Sequence, residues 1–567
     1  MLLKCVKPAL GSLARACAGF LLLPAASLAA DNNTLLIAPI APPANSVQIG
    51  EDFKLPPLQA PSTPAPFLEG SGIFRLERLV IRGNTVFSAD ELALEAAPYL
   101  GRDIDATELE ELRQKLTRHY VERGYVNSGV LLAPESRGEG TAFDVVEGRL
   151  TGVRVAGMER LDEAYIVRRL VKDTDGPLNL ERLRERFQLL LGDPLFARLN
   201  GRLTPGERPG EAYFDVDVAR ALPYQLTATF NNYRPPSIGS DALGLKGWAR
   251  NLTGHGDLLE GHLEQPVGQS SGTRSGLAWR MPLGYRGTQM SVVLDHGRSS
   301  VIEEPTKVLG IQSTLTSKEI GISQTIFENL GYKFTVGLDR ISRENRTFLL
   351  GQPFSFNAGE PNGVIKEQLW RFWQDFAYRT ETSVSAFRST FSSGRNNLQA
   401  AVGLPGTQTA PRRFDIWLGQ AQYIRQVLDN GAQALFKATA QRTADRLLTL
   451  DGLSIGGVNT VRGFRENQLV RDVGAIFSFE FEYPLVRGAG NNLNATVIPF
   501  YDRGCGWNKG ESAATLSSWG LANRIRWQGF TLDVVLAHRL SARQAVTATK
   551  SNLQDKGIHI QLSHAFF

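Results

Sequence analysis

Residues 477–483 read Phe-Ser-Phe-Glu-Phe-Glu-Tyr and alternate aromatic with polar side chains without a break. Successive side chains of a β-strand point to opposite faces, so the four aromatic rings share one face, and Ser478, Glu480 and Glu482 share the other. Aromatic rings suit contact with lipid, whereas a carboxylate facing lipid is costly. The segment is therefore predicted to be a strand of a transmembrane β-barrel with a wet lumen.

The same period of two recurs through residues 221–567, with clear examples at 224–231, 332–339 and 530–536. A soluble β-sandwich alternates in the same way, so alternation alone leaves that alternative open. Spanning strands of ~9–11 residues flanked by aromatic residues are what a bilayer requires, and tyrosine and tryptophan recur at the ends of these segments. Residues 221–567 are predicted to form an antiparallel barrel of about sixteen strands, an even number as closure requires in single-chain bacterial barrels.

The composition is compatible with this barrel. Hydrophobic residues make up 42% of the chain, and the mean hydropathy is −0.17. After residue 30, no segment reaches the ~20 predominantly apolar residues that a spanning helix needs. A barrel hides its apolar band in alternating strands and so leaves the average hydropathy ordinary.

The N-terminal residues have the pattern of a processing segment. Residues 1–30 place cations before an apolar run from Ala16 to Leu28 and small residues after it, which predicts a secretory signal peptide. Residues 31–72 are rich in proline and alanine and are predicted to be an extended linker. The formal charge of +5 falls to +2 without the three cations of the signal, and this near balance gives no reason to expect nucleic acid as a partner.

Residues 73–148 and 149–220 form a weak internal repeat, in which each copy is predicted to run strand, helix, helix, strand, strand. In the first copy, Ser88–Glu91 and Thr107–Glu110 have the spacing of capping boxes. The apolar stripe of its second helix consists of Leu109, Leu112, Leu116 and Tyr120. The predicted fold class is therefore α+β plus all-β, with two small domains ahead of the barrel.

A long loop interrupts the strand pattern at residues 443–471. Residues 452–471 read Gly-Leu-Ser-Ile-Gly-Gly-Val-Asn-Thr-Val-Arg-Gly-Phe-Arg-Glu-Asn-Gln-Leu-Val-Arg, which is rich in glycine and contains three arginines. Long loops in compact proteins are usually functional or disordered, and glycine lets the backbone approach a neighbouring wall closely. We therefore expect this loop to have a role in the barrel.

A second motif lies in a predicted strand at residues 500–504, which read Phe-Tyr-Asp-Arg-Gly. Alternation places Phe500, Asp502 and Gly504 on one face, and this face must be the lumen because a carboxylate facing lipid is costly. An arginine carried into the pore by the loop after Val461 could then meet Asp502. A guanidinium can bind a carboxylate through two parallel hydrogen bonds, which would fix the position of a flexible loop.

Signals for other chemistry are weak. Residues 452–456 match the Gly-x-Ser-x-Gly pattern of serine hydrolases, but that chemistry needs a turn from strand into helix, and no helical pattern follows Gly456. Ser454 is instead predicted to lie in the strand entering the loop, which leaves an outer-membrane lipase as a weak alternative. The seven histidines are scattered, and neither a metal-ligand spacing nor a phosphate-binding loop is present. No enzyme activity, metal or cofactor is predicted.

Together these features resemble the two-partner secretion transporters, outer-membrane barrels of the haemolysin-activator and filamentous-haemagglutinin-exporter type. The inserted-loop motif of that family is matched by Val461, Arg462, Gly463 and Phe464, and its barrel-strand motif by Phe500, Asp502 and Gly504. The repeats resemble the polypeptide-transport-associated (POTRA) domains of the same superfamily. The resemblance implies that the loop folds back into the barrel and that Arg462 forms an ion pair with Asp502.

The resemblance also implies a function. The chain would carry one large secreted exoprotein from the periplasm to the cell surface, with its POTRA-like domains in the periplasm and its barrel in the lipid of the outer membrane. The exoprotein would add a strand to an exposed sheet edge, for which Tyr125–Ala133 and Ala197–Leu203 are the expected edges. The pore would open as the loop bearing Arg462 shifts, and a short helix near residues 31–38 is a possible plug.

Two further expectations come from the resemblance. The terminal residues Phe566 and Phe567 resemble the recognition signal of bacterial outer-membrane proteins, which implies the barrel assembly machinery as a partner for insertion. The alternative function within the superfamily is an insertase that assembles other barrels. Such proteins generally carry more periplasmic domains than the two expected here.

Overall fold

The computed structural model describes residues 73–133, 140–171, 176–268, 272–399, 409–488, 492–541 and 551–566. The predicted signal peptide, the linker with its possible plug helix, and Phe567 lie outside these residues. The described chain divides into two compact units, an N-terminal unit up to Leu222 and a C-terminal unit from Pro223.

The N-terminal unit contains two copies of one α+β arrangement. The elements of the first copy are β1 (Phe74–Arg75), β2 (Arg78–Arg82), α1 (Ala89–Ala96), a 3-10 helix (Ala97–Tyr99), β3 (Asp103–Ile104), α2 (Ala106–Glu122), β4 (Gly129–Leu132) and β5 (Gly140–Val146). Those of the second copy are β6 (Arg149–Ala156), α3 (Ala164–Leu170), α4 (Leu180–Leu191), β7 (Phe196–Pro205) and β8 (Glu211–Arg220). In each copy the last strand is central, parallel to the first long strand and antiparallel to the strand before it. The predicted order of elements is confirmed for the second copy, and the first copy has in addition the short paired strands β1 and β3.

The predicted apolar stripe of α2 lies in the core of the first copy, and Leu112, Leu116 and Tyr120 are fully buried there. The predicted capping box of this helix was wrong by two residues. Asp105 has extended backbone dihedrals and accepts the backbone N–H of Glu108 at 2.8 Å, while Glu108 bonds back to the N–H of Asp105. Because the helix already begins at Ala106, Thr107 lies inside its first turn.

The other predicted capping box forms only in part. Ser88 caps α1 by accepting the backbone N–H of Glu91 at 3.1 Å. The carboxylate of Glu91 lies 3.3 Å from the ring of His119 on α2. Only one of the two hydrogen bonds of a capping box is formed, because the carboxylate of Glu91 contacts His119 on α2 instead of the backbone N–H of Ser88.

The C-terminal unit is a closed antiparallel barrel, in which the described residues form sixteen full strands. These strands are β9 (Tyr224–Asn231), β10 (Ala242–Arg250), β11 (Leu258–Pro266), β12 (Arg274–Pro282), β13 (Thr288–Ser300), β14 (Gln312–Glu328), β15 (Tyr332–Leu349), β17 (Val364–Arg379), β18 (Ser383–Asn396), β19 (Arg413–Gln426), β20 (Gln433–Arg442), β23 (Val473–Arg487), β24 (Asn494–Trp507), β25 (Ala514–Trp527), β26 (Phe530–Arg539) and β27 (Ile558–Ala565). Three short strands accompany them, β16 (Gln352–Pro353), β21 (Leu453–Ile455) and β22 (Leu469–Arg471). Closure is made by β27, which pairs with β9.

Short 3-10 helices lie in the connections of the barrel, at Pro236–Ile238, Thr306–Leu309, Thr449–Asp451 and Gln554–Lys556. The turns at one rim are short, such as 329–331 and 528–529, whereas the connections at the other rim are longer, up to the one between Arg442 and Val473. Outer-membrane barrels present short turns to the periplasm and longer loops to the outside. The inserted loop therefore starts from the outer rim.

The predicted alternation is seen in the exposure of the side chains. On β23, Phe479 is 49% exposed on the outer face, whereas the next residue, Glu480, is 8% exposed on the inner face. A barrel leaves no open sheet edge in lipid, and the charged inner face supplies the wet lumen that the sequence pattern required. In the described parts of the chain, no helix has the length and apolar character needed to cross a membrane.

Candidate functional site in the barrel lumen

The loop between β20 and β23 folds back into the lumen. After the 3-10 helix Thr449–Asp451, the strands β21 and β22 pair as an antiparallel ribbon, with Leu453 opposite Arg471 and Ile455 opposite Leu469. An apolar cluster attaches this ribbon and the tip to the barrel wall. The cluster consists of Leu453, Ile455, Val461, Phe464 and Leu469 from the loop with Ile476 and Leu516 from β23 and β25.

Two glycines shape the tip of the loop. Gly456 and Gly457 have φ values of 109° and 108°, a region that side chains with a Cβ rarely adopt. A Cβ at Gly457 would collide with the carboxylate of Glu466. Oε1 of this carboxyl group accepts the backbone N–H of Val458 at 2.6 Å and so links the two sides of the loop tip. Burial raises the pKa of Glu466 to about 8, against the opposing effect of the hydrogen bond from Val458.

The structure brings Arg462 and Asp502 together. Nε and Nη2 of Arg462 donate to the two carboxylate oxygens of Asp502, each at 2.7 Å, and the backbone N–H of Arg462 donates to Oδ2 at 3.0 Å. The two residues are 7% and 0% exposed. This is a bidentate, charge-assisted contact, which fixes the direction of the guanidinium as well as its position.

Three residues that the sequence motifs did not include complete the polar site. Ser478 Oγ donates to Asp502 Oδ1 at 2.7 Å and accepts from Arg462 Nη2 at 3.1 Å. Glu480 Oε1 lies 3.2 Å from Nη2 of Arg462 and 3.2 Å from Nζ of Lys437. Two cations and two anions therefore balance one another. Ser478 and Glu480 lie on the polar face of residues 477–483. The alternating pattern therefore predicted that they face the lumen, but it did not predict which residues they contact.

The remaining motif residues pack around the ion pair. The guanidinium carbon of Arg462 lies 3.6 Å from the ring centroid of Phe500, a cation–π contact. A Cβ at Gly504 would collide with Ile455 and come within 2.9 Å of Val461, so the glycine admits the loop to the wall. Gly463 has a φ of 87° and donates its N–H to Nε2 of His559 at 3.0 Å.

The loop leaves a cavity of about 690 Å³ in the lumen. Charged residues of both signs line its wall, among them Lys246, Glu260, Arg274 and Asp295. Such a wall suits the transient passage of a polar chain better than tight binding of an apolar ligand.

Ser454 lies in β21, as the strand pattern predicted. It is buried, and its hydroxyl donates to Oδ1 of Asn467. The residues after Gly456 form turns, so the strand–turn–helix arrangement of a nucleophile elbow is not formed at this position. In the described residues, no group of histidine, cysteine and carboxylate side chains is arranged to hold a metal ion.

The two predicted docking edges differ. The segment Tyr125–Ala133 forms only the short strand β4, and α2 covers its outer side, because the N–H of Val130 donates to Thr117 Oγ1 at 3.1 Å and its carbonyl accepts from Arg113 at 2.8 Å. The expectation of an open edge there was wrong. The segment Ala197–Leu203 lies in β7, a ten-residue edge strand with no partner strand on its outer side within the described chain.

Comparison with known proteins gives the family. The model of the haemolysin secretion/activation proteins ShlB/FhaC/HecB matches residues 210–526, and that of the ShlB-type POTRA domain matches residues 74–148. The chain is 22% identical over 482 residues to the outer membrane transporter CdiB of Dickeya dadantii, covering 82% of each chain. It is 20% identical over 510 residues to the heme/hemopexin transporter protein HuxB of Haemophilus influenzae, covering 86% of this chain and 85% of that one.

Among solved structures, CdiB from Escherichia coli has the same fold. The TM-score is 0.67 at 19% identity, over 90% of this chain and 94% of that one. POTRA domains are periplasmic in such proteins, and transporters of this kind act with a secreted exoprotein. Since the first family model matches more than half of the residues, the chain belongs to the ShlB/FhaC/HecB family of haemolysin secretion/activation proteins and is an outer-membrane transporter of two-partner secretion.

Proposed function

We propose that the inserted loop is the gate of this transporter and that the contact between Arg462 and Asp502 holds it closed. The observation that carries the proposal is the bidentate, buried ion pair at the loop tip. Breaking a buried pair by removing one partner costs ~3–5 kcal/mol. Most of that cost comes from leaving the other charge buried without a partner, so each residue keeps the other in the site while the loop is seated. An exoprotein that competes for the lumen displaces the loop with both charges returning to water.

The exoprotein is recognised by strand addition at β7. This edge strand runs from Phe196 to Pro205, and Arg198, Asn200 and Arg202 are exposed along it. Added strands gain main-chain hydrogen bonds, and alternate side chains read the sequence. The two exposed arginines favour an exoprotein strand that carries acidic residues at the facing positions.

After recognition, the exoprotein passes through the lumen in an extended conformation without nucleotide energy. The cavity wall next to the loop carries both charge signs, so a polar segment finds only short-lived partners. The lipid of the outer membrane contacts the exposed apolar outer face, of which Phe479 and Trp519 are examples.

Insertion of the barrel depends on the barrel assembly machinery. The last described residue, Phe566, follows β27 and is half-exposed, and its backbone N–H donates to the carbonyl of Leu226 on β9. Phe566 therefore lies beside β9, at the junction where the barrel closes.

A secretion assay tests the gate. Cells that express the chain with a fragment of the exoprotein carried by the same organism are compared with cells carrying Arg462→Ala. We expect this variant to secrete less at an unchanged amount of inserted barrel, because a loop that is no longer seated loses its order and obstructs the lumen instead of moving aside as one unit. Arg280→Ala is the matched control, since Arg280 pairs with Glu260 at the cavity wall but is half-exposed. Equal secretion by wild type and Arg462→Ala would contradict the gate.

A deletion of residues 73–219 tests recognition. Loss of export while the barrel still reaches the outer membrane supports recognition by the N-terminal unit. Depletion of other outer-membrane barrels on loss of the chain, without any effect on exoprotein export, would instead support the insertase alternative.

A further inference from the structure

The inserted loop makes a second ionic contact three residues beyond Arg462. Nε and Nη2 of Arg465 donate to the two carboxylate oxygens of Asp555, each at 2.7 Å. Nη1 of the same guanidinium donates to both oxygens of Glu303, at 2.9 and 3.0 Å. The side chains of Arg465 and Asp555 are buried, so one guanidinium binds two carboxylates with little access to water. We refer to Arg465, Asp555 and Glu303 as the rim clamp.

The rim clamp joins three connections of the outer rim. Arg465 belongs to the inserted loop, Glu303 to the connection between β13 and β14, and Asp555 to the 3-10 helix between β26 and β27. Burial alone would raise the pKa of Asp555, but the hydrogen bonds from Arg465 and the backbone of Asn552 outweigh it and lower that pKa. Asp555 is therefore held as a carboxylate in the clamp.

The neighbours of the rim clamp extend it to the strands that close the barrel. The backbone N–H of Glu466 donates to Oε1 of Gln554 at 2.9 Å. Nε2 of Gln554 donates to the carbonyls of Asn232 and Arg234, at 2.5 and 2.7 Å, just beyond the end of β9. Gln554 is fully buried, so its carboxamide is a bridge from the loop to the first barrel strand.

The junction of β9 and β27 has little pairing of its own. Its ladder runs only from Thr227 opposite Ala565 to Asn231 opposite Gln561, and it is the shortest between full barrel strands in the described chain. Beyond this ladder Asn232 continues the pairing. Its backbone N–H donates to the carbonyl of Ile560 at 3.2 Å, and its side chain donates to the carbonyl of Ile558 at 3.0 Å and accepts the N–H of Ile560 at 2.8 Å. The outer end of the junction thus depends on Asn232, which Gln554 holds.

We propose that Arg465 is a second positioning residue of the inserted loop, and that the rim clamp couples the seating of the loop to the pairing of the outer ends of β9 and β27. The two arginines have different tasks. Arg462 attaches the tip of the loop to β24 inside the lumen, whereas Arg465 attaches the loop to the rim and, through Gln554, to the barrel junction. The role of this coupling in secretion rests on the proposed gate. If the loop leaves the lumen to open the pore, the pairing of β9 and β27 weakens at the same time.

Hydrogen exchange followed by mass spectrometry on the full chain in detergent micelles tests the coupling without an exoprotein. In Arg465→Gln, we expect the amides of residues 231–232 and 558–561 to exchange about tenfold faster than in wild type, as for a local opening made easier by ~1.4 kcal/mol. The exchange rate of Arg465→Lys is expected to lie between those of wild type and Arg465→Gln, since an ammonium keeps the charge but cannot bind both carboxylates in the planar geometry of a guanidinium. Arg346→Gln is the matched control, because Arg346 pairs with Glu344 in an exposed position on β15.

Unchanged exchange at these amides in Arg465→Gln overturns the proposal, and so does an equal rise in the control. The double variant Arg465→Gln with Asp555→Asn exchanges no faster than Arg465→Gln alone if the two residues act as a unit, and additive effects overturn the clamp. If Arg465→Gln does not fold, as judged by its gel mobility before and after heating, Asp555→Asn and Glu303→Gln are measured instead. Each leaves Arg465 with one carboxylate, and no rise in either overturns the proposal.

The exchange result and the secretion result are independent. Faster exchange in Arg465→Gln together with wild-type secretion from Arg462→Ala contradicts the gate and leaves the rim clamp standing. Wild-type exchange in Arg465→Gln together with lost secretion in Arg462→Ala contradicts the rim clamp and supports the gate.

Discussion

Ser478 on β23 lies directly opposite Asp502 on β24, and its hydroxyl donates to Oδ1 of Asp502 at 2.7 Å while accepting from Nη2 of Arg462. A residue of the barrel wall therefore helps to orient the carboxylate that the loop arginine binds. Because Asp502 also accepts the backbone N–H of Arg462, part of the contact depends on the path of the loop backbone. The side chain of Arg462 supplies the other two hydrogen bonds to Asp502.

Replacing Asp502 is expected to unseat the loop more than any other single change in the site. Asp502→Asn keeps the shape but places an amide NH₂ against the donors of Arg462, and it leaves that guanidinium with Glu480 as its remaining anion. We expect a loss of ~3–5 kcal/mol in the seating of the loop, seen as protease cleavage within residues 456–468 in the inserted barrel. Asp533→Asn, at the Arg524 pair on a partly exposed part of the inner face, is the control, and an uncut loop in Asp502→Asn would contradict the prediction.

Ser478→Ala is expected to have a smaller effect of the same kind. The variant removes one donor to Asp502 and one acceptor from Arg462, but both charges remain paired. A hydrogen bond to a charged group contributes ~1.5–3 kcal/mol, so the rate of loop cleavage should lie between those of wild type and Asp502→Asn. Cleavage as fast as in Asp502→Asn would mean that Ser478 and not the charge of Asp502 holds the loop.

A bulkier residue at position 504 should push the loop off the wall without touching any charge. Gly504→Ala puts a methyl group against Ile455 and within 2.9 Å of Val461, and overpacking of this kind costs ~1–3 kcal/mol. We expect faster loop cleavage with unchanged barrel assembly. The control is Gly261→Ala on β11, where the nearest atom to the new methyl is Cδ1 of Leu277 at 3.7 Å, and equal cleavage in the two variants would contradict the prediction.

The sequence was sufficient for the barrel because the lipid-facing and lumen-facing residues of a strand alternate, as at Phe479 and Glu480. It was not sufficient for partners such as Ser478, because the register of one strand against the next depends on pairing that no single strand encodes. Arg465 and Glu303 are 162 residues apart in the chain, and neither belongs to a local pattern. The first copy of the repeat shows a different limit, since Asp105–Glu108 and Thr107–Glu110 both have capping spacing and only the actual start of α2 decides between them.

The seating of the loop should weaken as the pH rises, because of Glu466. Burial raises the pKa of this carboxyl to about 8 in the seated loop, whereas a released loop has a pKa of about 4.3. The seated state therefore binds more protons. The contribution of Glu466 to the stability of the seated loop is complete below about pH 4 and is lost as the pH rises through about 8. Over this range the equilibrium constant for seating falls by up to about tenfold per pH unit.

The rate of loop cleavage, measured between about pH 6 and pH 9, tests this prediction. The rate should increase with pH in wild type but stay nearly constant in Glu466→Gln, whose amide can still accept the N–H of Val458. Glu511→Gln, a half-exposed carboxyl on the outer rim, should follow wild type, and a flat wild-type profile would mean that Glu466 is ionised in the seated loop.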